Sequence, residues 1–85
     1  MERHFKGIAN HYRIALMLSI DENEGMTLDE LIARLHANQK TISEHTRRLV
    51  HAGLIYKTYM GRQVAHNLSP YGKLFVRFIK TLQQS

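Results

Sequence analysis

Between Asn38 and Gly53 the chain reads Asn-Gln-Lys-Thr-Ile-Ser-Glu-His-Thr-Arg-Arg-Leu-Val-His-Ala-Gly, and this segment divides cleanly when wound at about 100° per residue. Ile42, Thr46, Leu49 and Val50 fall within one arc. Lys40, Glu44, Arg47, Arg48 and His51 gather on the opposite side, with Thr41 at the margin. The spacing predicts a helix with one packing face and one free, basic face. Asn38 can cap its first turn by accepting a hydrogen bond from a backbone N–H, and Gly53 can take the left-handed conformation that ends helices. The helix is thereby bounded to 39–51, about 13 residues or roughly 20 Å.

The residues before it supply a second helix and a tight turn. Thr27-Leu-Asp-Glu30 has the form of a capping box, in which the Thr hydroxyl and the Glu carboxylate each satisfy a backbone N–H of the first turn. Leu28, Leu31, Ile32 and Leu35 then follow the i, i+3, i+4, i+7 rule. That helix ends near His36, so His36, Ala37 and Asn38 are the whole connection to helix 39–51. Two helices so joined form a helix-turn-helix unit. Upstream, Phe5, Ile8, Ala9 and Tyr12 recur at helical spacing and lead into an apolar run over residues 14–20. A short helix over roughly 2–9 and another over about 11–20 are expected, with Asn10 as the cap between them. Residues 21–25 are acidic, end in glycine, and suit an exposed connection.

Beyond Gly53 the pattern changes from helical to extended. Residues 54–59 are β-branched and aromatic, and residues 64–68 alternate, so the two runs predict strands joined through Met60-Gly-Arg-Gln63 with Arg62 near the tip. Ser69-Pro70 starts a last helix, Ser as cap and Pro at the first helical position. On it Tyr71, Leu74, Phe75, Phe78, Ile79 and Leu82 span about 140°, wider than the roughly 100° stripe of an ordinary surface helix. We assign Leu74, Phe75, Phe78, Ile79 and Leu82, with Phe5, Ile8 and Tyr12, to a homodimer interface. The alternative is an internal contact between the first and last helices. The fold class is mainly α with a small β-hairpin: a winged helix-turn-helix of about five helices and a two-stranded wing, forming one domain over residues 1–85.

The charge distribution indicates what the free faces meet. Residues 1–30 hold three Lys/Arg against six Asp/Glu, whereas residues 31–85 hold nine Lys/Arg and only Glu44, so the overall +5 resides in the second half. Such asymmetry points to a polyanionic partner. A helix of this diameter fits the major groove of double-stranded DNA, about 12 Å wide. Base edges are met mainly by the first turns, which nominates Gln39, Lys40, Thr41, Ser43 and Glu44. Lys40 can donate to guanine, Gln39 can pair with adenine, and Glu44 can accept from cytosine N4. Arg47 and Arg48 come later and suit phosphates, while Lys57 and Arg62 reach the backbone or minor groove from the wing.

Several chemistries are excluded or disfavoured. The chain has no cysteine, which removes disulfides, thiolate metal sites and thiol catalysis. No pair among its six histidines has the i, i+4 spacing that a helical zinc pair favours, so neither metal nor cofactor is expected. Ser43 and His45 face different ways on their helix, and no carboxylate is evidently placed to orient the imidazole, so no catalytic residue is assigned. His45 is expected at the edge of the packing face. Residues 14–20 are too short to span a bilayer and no signal-peptide pattern is present, so a soluble, cytoplasmic chain without membrane contact is expected.

The order Gly7-Ile-Ala-Asn10, Arg13 before the apolar run, Ile42-Ser43 through His45 to Leu49, Ala52-Gly53-Leu54-Ile55, Gly61-Arg62 and Leu68-Ser-Pro70 resembles ArsR-type winged-helix transcriptional regulators over nearly the whole chain. The Ala-Gly-Leu segment and the Leu-Ser-Pro start of the last helix are shared with multiple-antibiotic-resistance-type regulators. The resemblance implies a homodimeric repressor with helix 39–51 in the major groove and the terminal helices at the dimer interface. Thr46 stands where the family usually has leucine, and Arg48 where an aliphatic residue is common. Many relatives sense metals through the last helix, but residues 70–85 contain no Asp, Glu, His or Cys. Neither an operator nor a small-molecule effector is legible, and a protein-interaction module built on the same fold is the competing reading.

Overall fold

A computed structural model describes residues 2–84 of the chain, with side chains from residue 11 onward. The elements run α1 (Glu2–Glu22), β1 (Met26–Thr27), α2 (Leu28–Leu35), α3 (Gln39–His51), β2 (Ile55–Met60), β3 (Gln63–Leu68) and α4 (Pro70–Gln83). There are therefore four helices rather than about five among the described residues. The two short helices expected upstream are one 21-residue helix. Residues 8–24 contain neither Gly nor Pro, so a single Asn10 costs the helix too little to break it.

The local signals at α2 and α3 operate as the sequence predicts. At α2 the Thr27 backbone N–H donates to Glu30 Oε1 at 2.8 Å and the Glu30 N–H donates to Thr27 Oγ1 at 3.2 Å, closing the capping box. His36 ends that helix in the left-handed region, at φ 52°. Asn38 Oδ1 accepts from the Thr41 N–H at 2.8 Å and starts α3. At the other end Gly53, with φ 77°, closes a Schellman motif: its N–H donates to the Val50 carbonyl and that of Leu54 to the Leu49 carbonyl.

The sheet has one strand more than the expected hairpin. Its order is β1-β3-β2, all antiparallel, with Met26 opposite His66 and Thr27 opposite Ala65. β1 is two residues long, below any periodicity a sequence can display, and it falls where an exposed connection and a helix cap are expected. β2 and β3 pair from Ile55–Leu68 out to Met60–Gln63, leaving Gly61 and Arg62 as the turn. Gly61 has φ 62° and Arg62 does not share the positive φ, the pattern of a type II′ turn whose twist matches that of the strands.

The core joins all of these elements: Leu16, Met17 and Ile20 of α1, Leu31 of α2, Ile42 and Leu49 of α3, Ile55 and Leu68 of the hairpin and Val76 of α4 are buried together. Each such side chain contributes at most about 1.5–3 kcal/mol through removal from water, so Ile42 and Leu49 are the main anchors of α3. On α4 the inward stripe is Gly72, Val76 and Ile79, at i, i+4 and i+7. Tyr71, Leu74, Phe75, Phe78 and Leu82 remain exposed on the other side.

One residue assigned to a dimer interface is therefore corrected. Ile79 is 7% exposed and belongs to the protomer's own core, because Gly72 lets the 72–76–79 stripe approach the body of the fold closely. Tyr12 is half-buried: one side of it packs against the core cluster and stacks on His45. The Phe5 and Ile8 side chains lie outside the described residues.

Candidate nucleic-acid interface

The two faces of α3 separate as its sequence spacing requires. Ile42, Thr46 and Leu49 are buried, while Gln39, Lys40, Arg47, Arg48 and His51 are exposed. Thr41, Ser43 and Glu44 lie at the boundary, half-buried. Thr46 occupies a leucine-like position without an unsatisfied hydroxyl, because its Oγ1 donates to the Ser43 carbonyl one turn back at 2.9 Å. That bond removes the usual cost of a buried polar group.

The basic face carries an internal counter-charge. Glu44 Oε1 accepts from Arg47 Nη2 at 2.7 Å and from Arg48 Nε at 3.0 Å, and its Oε2 accepts from Arg47 Nε at 3.3 Å. Hydrogen bonds from Arg47 and then Arg48 hold the Glu44 carboxyl down to about 2, so it is ionised throughout the physiological range. Both carboxylate oxygens are engaged, because at i+3 and i+4 the two arginines are the nearest helical neighbours of Glu44.

The wing stands beside this helix and encloses a groove. A cavity of about 360 Å³ is lined by Thr27, Leu28 and Asp29 at the start of α2, Ser43 and Thr46 of α3, and Lys57, Tyr59, Arg62, Gln63, Val64 and His66 of the hairpin. Lys57 and Arg62, both singled out from sequence, thus converge with Ser43 on one groove. Tyr59, 74% exposed, and Gln63 join them and were not anticipated. The available signal was strand alternation, since Tyr59 follows Lys57 by two residues and shares its face.

His66 forms the groove floor and is 2% exposed. Its Nδ1 lies 2.8 Å from the Met26 carbonyl oxygen, so Nδ1–H donates across the β1–β3 junction. Burial pushes its pKa down, against the bond to Met26, and the Lys57 charge adds to the depression.

A second basic cluster lies toward the C-terminal end of α3. Arg13 of α1 lines a depression of about 370 Å³ with Arg47, Arg48, His51 and Ala52. Arg13 went unassigned because it sits in the net-acidic part of the chain, and only the packing of α1 on α3 brings it to the basic face. His45 lies between these layers, half-buried, its ring stacked on Tyr12. Gln39, Lys40 and Thr41 stand at the other end of α3, separate from this cluster.

The comparisons with known proteins concern the same region. The MarR family's sequence profile matches residues 10–59, which include α2, α3 and most of β2. Among solved structures, the chain superposes on a MarR family transcription regulator with a TM-score of 0.82 at 22% identity, over 86% of this chain and 50% of that one. It matches MarR at 0.80 and 24% identity, over 92% and 61% of the two chains. FabT of Streptococcus pneumoniae, solved in complex with DNA, matches at 0.80 and 19% identity, over 85% and 52%. The chain thus spans half to three-fifths of the length of these solved proteins. No protein of curated function is significantly similar to it in sequence.

Proposed function

The chain belongs to the MarR family, and on that premise we propose that it is a sequence-specific, double-stranded-DNA-binding transcription regulator acting as a dimeric repressor. The ArsR-type resemblance is corrected to the MarR family, with which Ala52-Gly53-Leu54 and Leu68-Ser69-Pro70 are shared. α3 enters the major groove with Gln39, Lys40, Thr41 and Ser43 toward base edges. Arg47 and Arg48 grip phosphates, and the wing brings Lys57 and Arg62 to the backbone or minor groove. The whole chain acts as one reading domain, and the protein works in the cytoplasm, where such a partner is found. Among the described residues no helix is long and apolar enough to cross a membrane.

The observation that carries this reading is that Ser43 of α3 lines one groove with Lys57 and Arg62 of the wing, on the helix that exposes Lys40, Arg47 and Arg48. A solvated surface helix has no need of a second basic wall. The test is a mobility-shift titration with duplexes selected from random DNA by the purified protein. With about four to six phosphates neutralised per dimer, the log–log salt slope is expected to be about −4 to −5. Lys40→Ala/Arg47→Ala is expected to weaken the selected duplex by at least about 1–3 kcal/mol. Equal, weak and salt-insensitive binding by both proteins would favour the interaction-module reading instead.

A further inference from the structure

We infer that Glu44 is a specificity-determining residue that works by restraining Arg47 and Arg48, so that the recognition helix grips non-cognate duplex weakly. This rests on the DNA-reading assignment of α3. Glu44 is the only acidic residue after position 30, and it is held between Arg47 and Arg48 on the helix that also exposes Lys40. It binds both arginines at once, at 2.7 Å and 3.0 Å. Neither arginine pairs with any other acidic group among the described residues. Arg47 and Arg48 are themselves well exposed, so phosphate oxygens can reach them, but only in competition with a carboxylate already in place.

The physical consequence depends on geometry. Non-specific binding draws almost entirely on phosphate neutralisation, and the counterions it releases set its affinity. A carboxylate on the binding face reduces that release and repels the backbone itself. In a cognate complex the contacts from Gln39, Lys40 and Ser43 fix the helix in one register, where the arginines can exchange Glu44 for phosphate. A non-cognate duplex offers no such contacts to offset the exchange. The carboxylate therefore lowers binding to all duplexes and lowers it most where base contacts are missing, which widens the ratio between cognate and non-cognate sites.

Glu44→Gln is the direct test, because it removes the charge and retains a carbonyl oxygen able to accept from a base. The measurements are affinity for a selected duplex and for a random duplex across a salt series. The variant is expected to bind random duplex about three- to tenfold tighter at low salt, with a slope steeper by about 1 per protomer, and to gain less on the selected duplex. Glu44→Gln/Arg47→Gln, which restores the net charge, is expected to return to wild-type random binding. Unchanged or weaker random binding by Glu44→Gln, or an equal gain on both duplexes, would overturn the inference while leaving the DNA-reading assignment intact. A wild-type protein without salt-dependent duplex binding would instead overturn that assignment, and this inference with it.

Discussion

The Tyr12 ring of α1 stacks on the His45 ring of α3, with centroids 5.5 Å apart and planes inclined by 24°. The contact couples the long first helix to the middle of the recognition helix at a titratable residue. Among the described residues, Nδ1 of His45 is buried there without a hydrogen-bond partner, and the neighbouring charges are Arg13 and Arg48, with Glu44 opposing them.

Stability should accordingly fall on mild acidification. Burial, then Arg13 and Arg48, hold the His45 pKa below the ordinary value of 6.5, and burial does the same to His66. The unfolded chain then takes up protons as the pH drops through 6.5, while the folded chain resists until its own lower pKa values are reached. Stability from these groups is complete above the unfolded value and is lost as the pH falls through that window. The urea midpoint is expected to decrease from about pH 7.5 to about pH 5.5. His45→Phe, which keeps the ring and removes the titration, should flatten part of the decrease; a midpoint that rises on acidification would contradict the assignment.

Gly72→Ala should destabilise the protein, although the position is helical. In an ordinary helix interior, alanine is favoured over glycine by roughly 0.5–1 kcal/mol. Here an added Cβ would overlap the Leu54 carbonyl oxygen and meet Leu68 Cδ2 at 3.4 Å. The carbonyl cannot yield easily, because it already accepts from the Ser69 N–H and from Ser69 Oγ, each at 3.0 Å. A loss of about 1–3 kcal/mol is expected in equilibrium denaturation. A neutral or stabilising outcome would show that α4 can lift away from the β2 start at little cost.

The outer face of α4 bears on association. Leu74, Phe78 and Leu82 are 60%, 58% and 58% exposed, and Tyr71 and Phe75 flank them. This is a large apolar surface for so small a chain to leave in water. In the proposed dimer it meets its partner's equivalent, and Phe78→Glu is expected to shift the protein to monomer in sedimentation equilibrium while leaving the circular dichroism spectrum unchanged. An unaltered mass would place the subunit contact elsewhere.

The parts of this structure that were legible in the sequence are those fixed by nearest neighbours along the chain. The Thr27–Glu30 box, the Asn38 cap, the Gly53 stop, the Ser69-Pro70 start and the Gly61-Arg62 turn each satisfy their backbone groups within a few residues, so a short window contains the whole argument. The misreadings depended on distance. β1 exists only because β3 lies beside it, forty residues later. Ile79 looks like a surplus apolar residue until α4 is docked, and Arg13 joins the basic cluster only by the docking of α1.

The hairpin also sets a length scale. Six paired rungs from Ile55–Leu68 to Met60–Gln63, closed by a turn of only two residues, fix the reach of Arg62 from the body of the fold at about 20 Å. Such a strut extends only in whole increments. Inserting one further pair would carry the arginine outward by about 3.4 Å and turn it to the opposite face, whereas two pairs would restore its orientation about 7 Å farther out. The wing is in that sense a ruler graduated in steps close to the rise of a base pair, and the chain's evolution can adjust where its tip lands only by moving between marks.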